Sequence, residues 1–431
     1  MAKRYPSAKS PFAVVDLGSS RFACLIAEIG AEGKPSLLGQ AIHAAEGIRQ
    51  GEITDMARFS TTLGRVVEAA ESNAGITIDS LHIVTPAGQP RLCEQLAEIT
   101  IGSQIIGRRD IRRLVEKQQE QTSQPGFAVC QRQTREYLID GLGQIANPLG
   151  MTGQKLGLAY HDLMMAQASH NNFCEAVQQN HLKAGHVYHS AAAAGLSCLT
   201  EDERELGTLI IDFGGGTTSF ALYSEDKLCH VGSIRMGGQN ITRDIAKMLS
   251  IPTNDAERLK AVEGSALPEM ATSLALGQSN FPASGDNFVL SKSLFERDML
   301  TLVTGQTIER AFLNDIIRSR LEEILDMIDQ QLSQAGMRPA PCYNLAITGG
   351  ASQLTGLQDF VSGHWGKPVA MKVPQSLFAA DSQISGGSFA AAIGMAMFVQ
   401  RLEETRPQDP TTRYAGTGLW ARLRLWFKQN L

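Results

Sequence analysis

The sequence predicts a mixed α/β chain whose central architecture is built twice. Two acidic, Gly-rich hairpin patterns recur about 196 positions apart, and helical periodicities alternate with β-branched runs. At 431 residues, 43% hydrophobic and 19% charged, the chain is too long for one core and suggests roughly two to four folded units. The same balance excludes wholesale disorder. A net charge of -5 argues against a nucleic-acid partner held by overall positive charge. The seven cysteines are scattered, odd in number and form no Cys-x-x-Cys pair, the usage of a reduced, cytoplasmic chain. Pro6, Pro11 and Asp16 interrupt the segment after Lys3 and Arg4, so no secretory signal is expected. The most apolar run, Phe389 to Val399, is about 11 residues, against the ~20 that span a bilayer.

In chain order, the first pattern is Phe12-Ala-Val-Val-Asp16-Leu-Gly18-Ser19-Ser20-Arg21-Phe22. An apolar run, an Asp, a small-residue turn and a second apolar run read as a β-hairpin with a carboxylate where its first strand ends. Its echo is Leu209-Ile-Ile-Asp212-Phe-Gly214-Gly215-Gly216-Thr217-Thr218-Ser-Phe220. Small residues let backbone N–H groups close around phosphate oxygens, and Ser or Thr hydroxyls add donors. An Asp beside a phosphate is repelled unless a divalent cation lies between them. Asp16 and Asp212 are therefore candidate magnesium carboxylates, acting through water. Either copy alone is equally well read as an ordinary hairpin with a tight turn; the second copy favours a shared cleft.

Ile53, Met56, Phe59, Leu63, Val66, Val67 and Ala70 recur at helical spacing after a Thr54 cap. Ile308, Phe312, Leu313, Ile316, Leu321, Ile324, Ile328 and Leu332 do so over a longer stretch. Both predict core-facing helices. A further Gly-rich element, Met236-Gly237-Gly238-Gln-Asn240-Ile-Thr242, reads as a helix entry with Asn240 or Thr242 as its cap. Another, Thr348-Gly349-Gly350-Ala351, follows an apolar strand and is expected to open a helix, a context in which backbone donors meet ligands. His161, His170, His181, His186 and His189 fall close together without a Glu or Cys to complete a metal set and read as surface or interface residues. The run Glu201 to Glu205 reads as a solvated turn.

The C-terminal segment has its own logic. Pro407, Pro410 and Gly416 with few apolar neighbours predict a flexible tether, assigned to 401–417. From 418 to 431 the chain predicts an amphipathic helix. Leu419, Trp420, Leu423, Trp426, Phe427 and Leu431 share one face, Arg424 and Lys428 lie opposite, Arg422 flanks them and Leu425 is the outlier. A basic helix with aromatic residues on its apolar face lies in the bilayer interface and prefers anionic lipid. Docking on the chain's own body is the alternative.

These segments, in this order, resemble the phosphate, adenosine and connecting motifs of the actin-like ATPase superfamily, and within it the FtsA family of bacterial cell division. The segment Thr200 to Gly207, the stretch Arg135 to Asp140 and the run Asn147 to Gly153 are similar to stretches of that family. The resemblance implies an actin-like fold of two domains around a nucleotide cleft, with an FtsA-type inserted subdomain. The first domain is expected at 11–206, with the insertion near 88–165 and completion by 381–400. The second is expected at 207–380, its smaller subdomain near 243–312. ATP and magnesium are the implied ligands. The nucleotide residues would be Gly18, Ser19, Ser20, Arg21, Gly214, Gly215, Gly216, Thr217, Thr218, Gly237, Gly238, Gly349, Gly350 and Ala351. Implied partners are the FtsZ C-terminal tail, further copies of the chain in filaments, anionic inner-membrane lipid and later division proteins, at the cytoplasmic face of the septal membrane. Arg310 and Asp315 are nominated for the FtsZ tail. Rod-shape relatives carry a Glu in the first connecting segment. Here Val187 to Gly195 holds no carboxylate, which implies at most slow ATP turnover, with His189 or Ser190 as substitutes. A small-molecule kinase of the same superfamily and a pilus-assembly actin homologue remain the alternatives.

Overall fold

The computed structural model describes residues 11–29, 35–102, 105–121, 124–267, 299–302, 305, 307–375 and 386–405. Two five-stranded sheets repeat one strand order. In the first, Lys183–His189, Ser80–Thr85, Phe12–Leu17, Arg21–Ile29 and Pro35–Ala44 lie side by side. In the second, Val369–Met371, Asn344–Thr348, Thr208–Phe213, Thr218–Ser224 and Lys227–Ile234 do. Each central strand is antiparallel to its hairpin partner and parallel to the strand on its other side. Both central strands are almost wholly buried, which is why they read as continuous apolar runs instead of alternating ones.

The helix Ser190–Cys198 and the helix Ala390–Thr405 pack together between the two sheets. Small side chains make this possible. Ala191 to Ala194 are fully buried, and a Cβ on Gly394 would lie 1.7 Å from the carbonyl oxygen of Ala193. Tyr188 stacks on Phe398 with centroids 4.7 Å apart. The first five residues of the expected tether, 401–405, belong to this second helix; the remainder of the tether and the amphipathic segment 418–431 lie outside the described residues.

A third sheet is wholly antiparallel, in the order Arg91–Thr100, Lys155–Ala166, Phe127–Ile139 and Leu142–Ile145. The helix Arg108–Glu120 covers it through Leu114, over a separate small core that includes Leu156, Leu158 and Tyr160. It enters and leaves the first domain between Ser80–Thr85 and the helix Gln167–Gln179, so it is an insertion.

Several local expectations need correction. The helix Met56–Ala74 buries Phe59, Leu63, Val66, Val67 and Ala70 as its spacing predicts, but its cap is Asp55, whose carboxylate accepts from the Arg58 amide at 3.1 Å. Thr54 instead donates its hydroxyl to Gly47. The long helix runs Arg310–Gln334, so Ile308 belongs to the preceding short strand, and Phe312 is 41% exposed. Gly237 is the N-cap of the helix Gly238–Leu249. Asn240 accepts from its amide, and Thr242 is inside the first turns. Gly350–Gln353 is a single 3-10 turn, and the following helix begins at Leu357. Glu201–Leu206 is a helix with a Thr200–Glu203 capping box, and Glu203 also pairs with Lys372 at 2.5 Å. His161 and His189 are buried.

Candidate functional site

Both acidic hairpins end at the same place. Asp16 is the fifth residue of Phe12–Leu17 and Asp212 the fifth of Thr208–Phe213, in registers opposite Val84 and Thr348 of the neighbouring parallel strands. The turns beyond them meet across a cleft of about 830 Å³. Their approach is close. A Cβ on Gly215 would lie 1.8 Å from Ser20 Oγ, and one on Gly216 would lie 2.5 Å from Ser19 Cβ. Gln239 Nε2 bridges the halves, donating to Ser19 O at 3.3 Å and Ser20 Oγ at 3.1 Å. The amides of Gly238 and Gln239 are tied to the carbonyls of Gly214 and Gly215. The helix Gly238–Leu249 therefore starts at the second turn.

The two carboxylates carry the strongest electrostatics of the cleft. Burial pushes Asp16 up to about 6, against the opposing pull of Arg21. Burial pushes Asp212 up to about 7, with the charge of Asp16 adding to it and Arg21 again opposing. Two desolvated carboxyls, with the charge of Asp16 raising Asp212 further, form a donor set short of positive charge, which fits a hydrated divalent cation. Among the described residues Arg21 is the cation that lowers both; its guanidinium donates to Ser388 O and lies 4.8 Å from the centroid of the Phe389 ring. Gly349 approaches from the second half with φ of +98°, where a Cβ would meet Asp212 Oδ1 at 2.4 Å. Only Gly tolerates both constraints.

Of the residues expected to hold nucleotide, Gly18, Ser19, Ser20, Arg21, Gly214, Gly215, Thr217, Gly238, Gly349, Gly350 and Ala351 line the cleft, with Asp16 and Asp212. Three do not line it. Gly216 faces Ser19 and Gln50, Gly237 caps its helix against Gly214, and Thr218 is buried in the ladder and donates to Met236 O. Sequence patterns did not single out Glu257, Lys260, Gln239 or the backbone around Ser388, which all line the cleft. Lys260 Nζ donates to Gly238 O at 3.0 Å, Thr242 Oγ1 at 2.8 Å and Glu257 at 2.8 Å. The signal available was a Glu-x-x-Lys pair on a helix after a Gly-Gly entry, too common to single out.

Ser190 reaches the cleft and shares a 2.8 Å hydrogen bond with Ser219. His189 lies behind it; burial, with His230 nearby, holds its pKa down at about 3, and Nε2 meets Ser233 Oγ at 3.0 Å. Arg310 and Asp315 do not pair with each other. Arg310 holds Glu263 at 2.7 Å, and Asp315 holds Arg318.

Twin sheets of identical order, facing acidic hairpins and a cleft between them define a protein of the actin-like ATPase fold. Solved structures agree. The chain is similar to a PilM–PilN type IV pilus biogenesis complex (TM-score 0.56, 15% identity, 90% of this chain and 98% of that chain) and to MreB 5 of Spiroplasma citri bound to AMPPNP (TM-score 0.53, 13% identity, 93% and 98%). Residues 88–163 match the SHS2 domain inserted in FtsA, and residues 209–394 match the cell division protein FtsA. The cell division protein FtsA of Rhizobium meliloti (strain 1021) is 30% identical over 99% of this chain and 97% of its own length. That of Escherichia coli (strain K12) is 23% identical over 96% and 97%. The chain belongs to the FtsA family of cell division proteins.

Proposed function

We propose that this actin-like cell division protein binds Mg-ATP in the cleft, self-assembles, and tethers the FtsZ ring to the cytoplasmic face of the inner membrane through its C-terminal segment, recruiting later division proteins. The observation that carries the reading is the meeting of Asp16 and Asp212, both buried, at two facing turns rich in backbone and hydroxyl donors. Asp16 and Asp212 would hold magnesium through its water shell, and the metal would supply the charge that lets phosphate oxygens sit beside two carboxylates. The turns Gly18–Ser20 and Gly214–Thr217 then donate to the phosphates, while Lys260 and Glu257 line the cleft beside the Gly238 helix entry. Ser190 is the group that the connecting helix offers to a water, able to orient it through a hydrogen bond but too weakly basic to take its proton. Turnover is expected to be slow, with nucleotide serving as a conformational and assembly switch.

Membrane attachment rests on Leu419, Trp420, Leu423, Trp426 and Phe427 inserted in the interface, and on Arg422, Arg424 and Lys428 facing anionic headgroups. Copies on a filament would bind far more tightly than one alone. Calorimetry with ATP, with and without magnesium, tests the cleft; no magnesium-dependent heat refutes it. Co-sedimentation with anionic vesicles of the full chain against a chain ending at Thr417 tests the tether, and equal pelleting refutes that.

A further inference from the structure

A short hairpin outside the cleft wall touches both cleft turns and the neck of the inserted subdomain. Ile48–Arg49 and Glu52–Ile53 pair antiparallel around a two-residue turn, Gln50–Gly51, with φ of +51° and +83°. Two positive φ values give a tight turn matched to strand twist, and for Gln50 that conformation is strained. Strain of this kind persists only where surroundings hold it. Here they do. The Gly51 amide donates to Ser19 Oγ at 2.9 Å, which leaves the Ser19 proton free to point at an anion in the first turn. A Cβ on Gly51 would sit 3.3 Å from Thr217 Cγ2 of the second turn. Gln50 Nε2 donates to Arg235 O at 2.8 Å, two residues before the Gly237 cap.

The next residue faces the opposite way. Glu52 accepts from the Gly88 amide at 3.0 Å and from Arg235 at 3.2 Å through Oε1, and from Ser169 at 2.8 Å through Oε2. Gly88 and Ala166 are where the chain enters and leaves the inserted subdomain, and they are themselves joined by a 2.6 Å backbone hydrogen bond. One carboxylate thus clasps both sides of that neck and the second domain together.

We propose that the Gln50–Gly51 turn is a coupling element. It positions the Ser19 hydroxyl between the two cleft turns and, through Glu52, links closure of those turns to order at the neck of the inserted subdomain. The nucleotide part of this rests on the proposed Mg-ATP site. By reciprocity, whatever stiffens the neck, such as a protein bound to the subdomain, tightens nucleotide binding by the same factor.

Hydrogen exchange on the full chain, read on peptides covering Gly51, Gly88 and Ala166, tests it. In the unmutated chain Mg-ATP should slow exchange at all three. Glu52→Ala should abolish that slowing at Gly88 and Ala166 and, by the same reciprocity, weaken ATP affinity in calorimetry by the factor by which Mg-ATP had slowed the neck, although Glu52 does not itself line the cleft. Without nucleotide, Glu52→Ala should speed exchange at Gly51 as well as at the neck, by roughly tenfold for loss of a charge-assisted acceptor. Glu52→Gln, which keeps an acceptor oxygen and the packing, should fall between. Unchanged neck protection by Mg-ATP in Glu52→Ala overturns the proposal, and so does a neck that loosens while Gly51 stays unaltered. Absence of heat with Mg-ATP in the unmutated chain instead removes the nucleotide reading, and the nucleotide-free comparison still decides the link.

Discussion

The two acidic hairpins share a frame and differ in everything attached to it. Each has six paired positions and an Asp at the fifth residue of its first strand. The first turn is Gly18-Ser19-Ser20 and ends on Arg21, so it offers side-chain hydroxyls and a cation. The second is Gly214-Gly215-Gly216-Thr217 and offers mainly backbone. The strands alongside diverge too. Ser80–Thr85 runs out through Pro86 to Gly88 and the inserted subdomain, whereas Asn344–Thr348 turns at Gly349 to floor the cleft beneath Asp212. A duplicated sheet thus fixes where two carboxylates meet. Both halves line the cleft, but the strand beside the first hairpin leads on to the inserted subdomain and the strand beside the second turns back under the cleft.

The largest effect should come from Asp212→Asn, which is expected to lower Mg-ATP affinity by about two orders of magnitude, since an amide cannot replace a carboxylate toward a hydrated divalent cation. The same change should stabilise the metal-free chain above pH 7. Both carboxyls have folded-state pKa values raised above the usual 3.8, so the stability they give the metal-free chain is fully present below about pH 4 and is lost as pH rises through 6 to 7. The melting temperature in chelator should therefore fall between about pH 4 and 7 and level off above that, and the fall should shrink in Asp212→Asn, which removes one of the two raised carboxyls; an unchanged slope contradicts a raised Asp212.

Next in size, Gly349→Ala should destabilise the chain by roughly 2 kcal/mol or more, because its Cβ would strike Asp212 Oδ1 and the Phe213 carbonyl at a positive φ. Thr85→Ala at the corresponding position of the first half removes only one hydrogen bond to the Ala87 amide, about 1 kcal/mol. Equal losses in denaturant melts would dissolve the asymmetry. Ser19→Ala should weaken Mg-ATP binding about five- to tenfold, the worth of one hydroxyl donor. Smallest is Arg21→Gln: it removes the cation that holds both carboxyls down, so the pH midpoint of magnesium-dependent binding should move upward by about one unit or less. A downward move would mean that Arg21 opposes the metal instead.

Much of the frame is legible in the residues themselves. The hairpins declare themselves locally, because a β-branched run, an Asp and a small-residue turn occupy adjacent positions whose conformations are set by near neighbours. The buried face of Met56–Ala74 follows from its period in the same way. Caps are less legible. Thr54 and Asp55 are both competent, and the choice falls to Asp55 because Gly47 engages the Thr54 hydroxyl. Ile308 fits the helical period but belongs to a strand, since periodicity has no sharp edge.

The sequence by itself determined the duplicated frame and the chemistry at its two turns, because those rest on contacts between residues a few positions apart. The tertiary structure alone decided that Lys260, Ser388 and Gln239 share the cleft, that His189 is sealed behind Ser190, and that Glu52 clasps Gly88, Ser169 and Arg235. Those groups lie tens to hundreds of positions apart. No local pattern encodes their meeting, which is selected only when both sheets pack against the small-residue helices between them.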